Sequence, residues 1–359
     1  MKIKRTKNLL YIASSVMVLG LALMSFDTVP SKQTGSLQTP APTKPADQNT
    51  TPAPTQAPNQ TSTPSPSPTP TSTPTPTPTP TPSLAQLNAQ IAIQPATDDF
   101  GTGLTTVITD YLNTLYSNEN SQVKELENIT CYYKPGVNEN DYYVYAAYDI
   151  HYEGSNVPIP TLDEYVVSVV DGAATVVTEN LDDDTKEALL LSRGSESVAA
   201  LHIRELLRCY MNAKLAVDEP LLSSLVTDPS YIKIKDIEAQ TQYIEEYKNL
   251  EFIIKPVPDN VEEFDYIVYV VNDVKIVNIA TLAPGMDEYM IAVDGNNYPF
   301  VFTGITSSAG DAARIAYRES EEYLTNFNQV VDRMTNAMLQ DPDLLEFMER
   351  LLGASGTTE

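Results

Sequence analysis

Two tyrosine–aspartate pairs have the residue types and the spacing that acid–base chemistry requires. Tyr145 precedes Asp149 by four positions, and Tyr269 precedes Asp273 in the same way. Residues four apart on a β-strand share a face, so each pair could donate and accept a proton on one side of a sheet. The same faces also carry the polar residues His151 and Lys275. Their presence favours an outer, half-solvated sheet face, on which both pairs would serve the fold rather than catalysis.

An acidic motif also occurs twice, and each copy ends in a tyrosine. The two copies are Asp163-Glu164-Tyr165 and Asp287-Glu288-Tyr289. Adjacent strand residues point to opposite faces, so the two carboxylates of one copy cannot readily share a proton or hold a metal ion. The motif is more typical of the solvated start of a strand whose tyrosine packs inward.

The other candidate motifs do not complete a site. The segment LDDDTKE, which begins at Leu181, lacks the spaced ligands and the glycine of an EF-hand loop, and helix capping by aspartate explains it. The two histidines, His151 and His202, lack a matching nucleophile. The sequence contains neither a glycine-rich phosphate loop nor a GxSxG motif. We therefore assign no catalytic, cofactor-binding or metal-binding residue and no cofactor, and a protein that is not an enzyme is the favoured interpretation.

The two cysteines, Cys131 and Cys209, do not form a CxxC motif, and with two histidines they make a poor zinc set. A disulfide between them could form outside the cell. Two buried thiols are the preferred interpretation, because free cysteine behaves as a small apolar residue.

Most of these residues lie in a sequence that is repeated. Residues 141–169, DYYVYAAYDIHYEGSNVPIPTLDEYVVSV, align without a gap to residues 265–293, DYIVYVVNDVKIVNIATLAPGMDEYMIAV. Alternation of apolar and polar residues predicts a long half-buried strand in each copy, followed by a loop and a second strand. The loop is expected to end at Pro160 or Pro284, and an Asp-Gly hairpin turn is expected to follow the second strand. These turns are Asp171-Gly172 and Asp294-Gly295.

Helical periodicity precedes each predicted sheet, over residues 104–116 and 198–215. Two more helices are expected in the second copy, at PLLSSLV and IEAQTQYIEEY. The sequence thus predicts an α+β protein with two tandem modules, each with helices packed on a curved antiparallel sheet. The first module comprises residues 84–195, with a shortened helical layer, and the second comprises residues 196–307.

The tail, residues 308–359, is expected to be helical. Its segment NAMLQDPDLL, from Asn336, is similar to NAKLAVDEPLL, from Asn212. Two interpretations of the tail remain open at this stage. It is either the helical start of a third module that lacks a sheet, or an amphipathic helix that packs on the second module.

Helices followed by a meander of long antiparallel strands resemble the nuclear transport factor 2-like superfamily. The segment YIEEYKNLEFIIKP, residues 243–256, and the following DYIVYVVNDVKI are similar to the tandem modules of this family on Firmicutes surface proteins. The resemblance covers about residues 100–300 and implies a cone, in which the sheet wraps around helices and a pocket lies between them. Ketosteroid isomerases, polyketide cyclases and many non-enzymatic modules share this plan, so the fold does not choose a function. The resemblance also implies a homodimer formed through the open sheet face.

The N-terminal part of the sequence predicts export. A basic flank, residues 1–8, precedes the apolar segment 9–26, which is long enough to span a bilayer as a signal anchor with a cytoplasmic N-terminus. A cleaved signal peptide, which would release the protein, is the alternative. Residues 27–83 form a Pro/Thr-rich stalk that cannot bury enough apolar surface to fold and that favours extended polyproline II. Such stalks resemble the wall-spanning linkers of Gram-positive surface proteins.

Charge narrows the range of partners. The sequence has a net charge of −26. Because the N-terminal flank is basic, the foldable part alone carries a more negative charge than the whole chain. A field of this sign repels nucleic acid and anionic lipid head groups. We expect a non-catalytic binding or scaffolding protein displayed at the cell envelope, with an envelope polymer or another surface protein as its partner and membrane contact through its N-terminal segment. The alternative is a small-ligand binder, or an isomerase- or cyclase-like enzyme, that uses the cone pocket of the second module.

Overall fold

The computed structural model describes residues 81–117, 122–155 and 157–355, and it describes side chains up to Leu351. The predicted membrane segment, residues 9–26, and nearly all of the predicted stalk lie outside these ranges. Within them, no helix combines the length and the apolar character needed to cross a membrane.

The protein is α+β, and its first antiparallel sheet contains five strands in sequence order. These strands are β1 (Gln94–Pro95), β2 (Val123–Pro135), β3 (Asp141–Tyr152), β4 (Ile159–Val170) and β5 (Ala173–Val177). Helix α1 (Leu84–Ala89) precedes β1, and helix α2 (Asp99–Tyr116) lies between β1 and β2 in the chain. Both helices begin at a side-chain cap, since Ser83 and Asp98 each accept a hydrogen bond from a backbone N–H of the first turn.

The second antiparallel sheet has four strands, also in sequence order: β6 (Ile244–Pro256), β7 (Tyr266–Ile276), β8 (Ala283–Val293) and β9 (Pro299–Val301). Between the sheets lie α3 (Asp183–Arg193), α4 (Glu196–Ala216), α5 (Glu219–Ser224), a 3₁₀ turn (Pro229–Tyr231) and α6 (Ile234–Thr241). After the second sheet come α7 (Ser308–Arg318), α8 (Glu321–Gln340) and α9 (Pro342–Ser355).

Each sheet packs its inner face on one long helix. Val144, Ala146 and Ile150 of β3 share a buried apolar cluster with α2, which contributes Leu104, Ile108 and Leu112. In the second sheet, Val268 and Val270 of β7 pack in the same way on α4, which contributes Ile203, Leu207 and Met211. The alternation read from the sequence is therefore confirmed for the inner faces.

The outer faces are buried as well, and here the expectation of a half-solvated face is wrong. Tyr143 and Tyr145 of β3 are fully buried against a cluster that includes residues of α3 and α4. Tyr269 and Val271 of β7 are buried in a cluster that includes residues of α7 and α8. The open sheet face on which the expected homodimer depends is thus covered by helices, and the homodimer itself stays a prediction.

Helix α4 contacts both sheets and joins them. Val198 and Leu201 pack on the outer face of the first sheet, whereas Ile203 and Leu207, on the opposite side of the helix, pack on the inner face of the second. The tail makes an equivalent contact. Helices α7 and α8 cover the outer face of the second sheet, as α3 and α4 cover the outer face of the first. Tyr323, Val330 and Met334 of α8 are buried, but the side of the helix away from the sheet is exposed.

Several helix and strand boundaries differ from those expected from the sequence. β4 and β8 begin before their prolines, so Pro160 and Pro284 lie within strands and not in the preceding loops. Pro160 is tolerated because β5 pairs only with the far end of β4, so its missing N–H is not needed by a neighbouring strand. The last helix before β6 ends at Thr241, and the residues from Ile244 are strand rather than helix.

The two Asp-Gly motifs also differ. Asp171 and Gly172 both have positive φ and join β4 to β5 directly, as expected for a two-residue hairpin turn. After Asp294-Gly295 the chain forms a longer loop, in which Asp294 accepts hydrogen bonds from two backbone N–H groups and β9 begins only at Pro299.

Candidate functional site

The tyrosine–aspartate pairs share a face, as expected, but they are not positioned for proton exchange. Asp149 accepts hydrogen bonds from Arg208 at 2.8 and 2.9 Å and from the Asn128 amide at 2.8 Å. Asp273 accepts from Arg333 and, at 2.8 Å, from the Asn249 amide. Each aspartate is therefore held by an arginine of a covering helix and an asparagine of the neighbouring strand, so a role in the fold accounts for both.

The glutamates of the acidic motifs are buried on the outer faces, and the expectation of a solvated strand start is wrong for them. Glu164 accepts hydrogen bonds from Arg193 at 2.8 to 3.0 Å and from His202 at 3.0 Å. Burial raises the pKa of Glu164, but the hydrogen bonds from His202 and Arg193 outweigh it and hold the pKa below its usual range. His202 is thus a partner of a structural carboxylate.

Glu288 is the corresponding residue of the second sheet. It accepts hydrogen bonds from the Tyr269 hydroxyl at 2.5 Å and from Arg314 and Arg318 at 2.7 Å. Burial raises its pKa, and the two arginines and Tyr269 together bring that pKa below the usual range of a glutamate.

The aspartates of the same motifs point to the inner faces, as the alternation of strand residues requires. Asp163 accepts hydrogen bonds from Tyr148 at 2.5 Å and Tyr165 at 3.0 Å. Asp287 is more completely buried and accepts a hydrogen bond from the Asn272 amide at 2.6 Å. Burial raises the pKa of Asp287 to about 6, although Lys214 and Asn272 act to lower it.

The remaining candidates have structural roles. Cys131 and Cys209 are both free and buried, which confirms the interpretation as two thiols, and burial raises the pKa of each. Asp182 of LDDDTKE caps α3 by accepting the Thr185 N–H at 2.7 Å, as expected. His151 lies 3.0 Å from Glu127 at the surface. Among the residues that the structure describes, no cluster of three His, Cys, Asp or Glu side chains could hold a metal ion.

A polar cleft of about 510 Å³ lies between the two sheets, and the sequence analysis did not anticipate it. One wall is the β2–β3 side of the first sheet, and the other is β6 of the second. Arg204, Glu205 and Arg208 of α4 contribute to the lining between these walls. The remaining lining residues are Thr130, Tyr132, Ala147, Glu246, Tyr247, Lys248, Asn249, Leu250 and Phe252.

A bulge in β6 shapes one wall of the cleft. The pairing of β6 with β7 shifts between Lys248 and Glu251, and Asn249 in this gap has a φ of +52°. Asparagine adopts this left-handed conformation more readily than most residues, and a bulge bends its strand. The equivalent shift in β2 contains Asn128, with a φ of +56°. The two bulges supply the asparagines that hold Asp273 and Asp149.

The charges in the cleft are partly neutralised. Arg208 binds Glu205 at 2.5 Å in addition to Asp149, and Lys248 lies 2.8 Å from Glu246. Burial raises the pKa of Glu205, and the nearby Arg208 counteracts only part of this rise. Arg204 is exposed, and its guanidinium carbon lies 5.9 Å from the centroid of the Phe252 ring.

Sequence reasoning missed the cleft because its residues are distant along the chain and carry no common motif. Comparison of the helices could have provided one signal. When α4 and α8 are aligned on the arginines that hold a strand aspartate, Arg208 corresponds to Arg333 and Arg204 corresponds to Gln329. This alignment differs by one position from the sequence match of Asn212 with Asn336. Arg204 therefore departs from the repeated pattern. The chain matches no protein-family model, and no curated protein matches it.

Proposed function

We propose that the protein consists of two tandem copies of one nuclear transport factor 2-like module, with α4 serving both. In this view α4 covers the outer face of the first sheet and is also the first helix of the second module. The proposal is supported by the equivalent contacts of the two sheets. Arg208 holds Asp149 as Arg333 holds Asp273, and the buried glutamates of β4 and β8 bind arginines at the ends of α3 and α7.

The long helices at either end support the same proposal. At three positions α4 has the buried residues Leu201, Glu205 and Cys209, and Leu201 packs on the first sheet. The corresponding residues of α2 are Thr102, Thr106 and Asp110, and all three are exposed. Helix α4 also packs Ile203, Leu207 and Met211 on the second sheet. The corresponding residues of α8 are Asn328, Asp332 and Asn336, and all three are exposed. A stacked array of modules needs such polar outer faces at its ends.

For this array we propose a non-catalytic binding function at the cell envelope, with the cleft between the sheets as the binding site. The observation that carries the proposal is that this open polar cleft lies where the two sheets meet at α4. The carboxylates with the spacing for acid–base chemistry are occupied by arginine and asparagine partners. A concave site with a few convergent polar groups is the usual form of a ligand site.

Co-sedimentation with insoluble envelope polymer tests this proposal. The full-length chain is mixed with washed cell-wall material, the wall is pelleted, and the supernatant is analysed for soluble fragments. Binding without release of fragments is the expected result. Release of fragments that depends on the protein would indicate an enzyme, and absence of the protein from the pellet would contradict binding to a wall polymer.

A second candidate function is a small-ligand site under the inner face of the second sheet. One oxygen of Asp287 and the amide oxygen of Asn272 are buried there without a hydrogen-bond partner among the described residues. Such groups are uncommon in folded proteins and call for a missing partner. Native mass spectrometry of the full-length chain tests this candidate, because an adduct lost in the Asp287→Asn variant would favour it over the cleft.

A further inference from the structure

Arg204 is an exception among the arginines that the structure describes. The part of the chain that the structure describes contains seven arginines, and six of them form ion pairs with aspartate or glutamate. Arg204 forms none there, although Glu205 is its neighbour in sequence. In a protein with a net charge of −26, an arginine without a carboxylate partner is not explained by a shortage of acidic residues.

The position of Arg204 directs it into the cleft. Its guanidinium lies on the Phe252 ring, where a cation–π contact stabilises it without neutralising its charge. Lys248 and Arg208 line the same cleft, against the two carboxylates Glu205 and Glu246. Arg208 is paired with Glu205 and Asp149, and Lys248 is paired with Glu246. Among the described residues that line the cleft, Arg204 is therefore the cation without a carboxylate partner.

We propose that the cleft binds an acidic oligosaccharide and that Arg204 receives one of its carboxylates. This inference rests on the binding function proposed above and adds the chemistry of the ligand. Guanidinium groups bind carboxylates through paired hydrogen bonds. The half-buried Tyr132 offers a ring on which a sugar can pack, and Thr130 and Asn249 offer polar groups for hydroxyls.

An acidic peptide fits the cleft less well. A peptide binds an open sheet edge by adding a strand, and β6 is the edge strand that faces the cleft. The bulge at Asn249 interrupts the regular pairing of β6 at this place, and bulges protect edges from strand addition. The contacts left for a ligand are therefore those of side chains, which suit an oligosaccharide.

Titration calorimetry with oligogalacturonate as the probe tests the inference. The full-length chain is titrated at about 0.15 M salt, which screens the long-range repulsion between the acidic chain and an anionic ligand. The ligands are this acidic oligosaccharide, a neutral oligosaccharide of equal length and oligoglutamate. We expect only oligogalacturonate to bind. Arg204→Gln, which introduces the residue found at the equivalent position of α8, should weaken binding about tenfold.

Arg350→Gln is the matched control, because it removes the same charge from an exposed site on α9 outside the cleft. This variant should bind oligogalacturonate as the wild type does, and thermal unfolding should show that both variants are folded. Equal affinity of wild type and Arg204→Gln, or equal binding of the neutral oligosaccharide, would overturn the inference. Tighter, Arg204-dependent binding of oligoglutamate would overturn it in favour of a peptide.

The two proposals can fail separately. A chain that sediments with wall material but does not bind oligogalacturonate overturns the acidic-oligosaccharide inference and leaves the binding function standing. A chain that neither sediments nor binds any of the three probes overturns both.

Discussion

At the scale of single residues, the acidic motifs show how a pattern suited to chemistry can serve the fold. Glu164 and Glu288 would be costly to bury alone, because a carboxylate removed from water loses several kcal/mol of hydration free energy. Each meets two cationic or hydrogen-bonding partners on the covering helices, which restores much of that loss. The buried ion pairs therefore determine which helix residue contacts which strand residue. Their net contribution to the free energy of unfolding is small, because the cost of desolvation offsets the attraction.

Asp287 offers a prediction about pH, because its pKa is raised to about 6. At a pH below about 3 the carboxyl is protonated in both the folded and the unfolded state. As the pH rises towards 6, the unfolded state loses the proton first, so the contribution of Asp287 to stability is lost through this range. Asp287→Asn removes this titration. Relative to the wild type, its free energy of unfolding should rise by about 2 to 3 kcal/mol between pH 4 and pH 7.

Urea unfolding followed by circular dichroism at several pH values measures this difference. Glu262→Gln, which removes an exposed carboxyl, is the control and should give the same pH dependence as the wild type. A difference between Asp287→Asn and wild type that does not change with pH would contradict the prediction.

The sequence supports some statements about these residues and not others. Strand alternation correctly placed Asp163 and Glu164 on opposite faces, and Tyr145 and Asp149 on one face. It could not give their burial, because the helices that cover the outer face come from segments that follow the sheet in the chain. In the sequence, a polar residue on an exposed face cannot be distinguished from a polar residue in a buried ion pair. The distinction requires knowing the partner residue.

At the scale of elements, α4 and α8 provide a matched comparison. Leu207 of α4 is fully buried against the second sheet, and the corresponding residue of α8, Asp332, is exposed. Leu207→Ala should lower the free energy of unfolding by about 3 kcal/mol, because it removes buried methyl groups and leaves a cavity. Asp332→Ala should change it by less than about 0.5 kcal/mol. Urea unfolding of both variants measures the difference, and equal effects would contradict the assignment of α8 as an end helix.

The two Asp-Gly turns give a second matched comparison. Gly172 has a φ of +81°, which alanine adopts only with strain, whereas Gly295 does not lie in this region and its added Cβ would meet no atom within 4 Å. Gly172→Ala should therefore lower the free energy of unfolding by about 1 kcal/mol or more. Gly295→Ala should leave it nearly unchanged. If the two variants lose the same stability in urea, the turns are alike and the distinction is wrong.

Elements with strong periodicity were predictable, and those set by local geometry were not. The long strands β3 and β7 follow from alternating apolar residues, and α2 and α4 follow from helical spacing. The start of β4 before Pro160 depends on β5 being short, which the sequence does not show. The bulges at Asn128 and Asn249 depend on the register between two strands, and a single strand does not reveal it.

At the scale of the whole molecule, α4 makes the two sheets depend on each other. Its two sides lie in different apolar clusters, one shared with β3 and β4 and the other with β7 and β8. The described residues from Pro82 onward fall in one compact unit. This coupling also positions the cleft, because Arg204, Glu205 and Arg208 project from the helix that both sheets hold in place.

The coupling predicts that the two sheets open together. In native-state hydrogen exchange measured by mass spectrometry, the peptides that contain β3 and β7 should exchange through openings of equal free energy. Leu207→Ala removes contacts with the second sheet alone, yet it should reduce the protection of β3 and of β7 by the same amount, because loss of α4 also uncovers the first sheet. Ile108→Ala, in the cluster between α2 and the first sheet, should likewise reduce the protection of β7. If instead each variant affects only the sheet that it contacts, the sheets unfold independently, and the geometry of the cleft is then maintained only while both are folded.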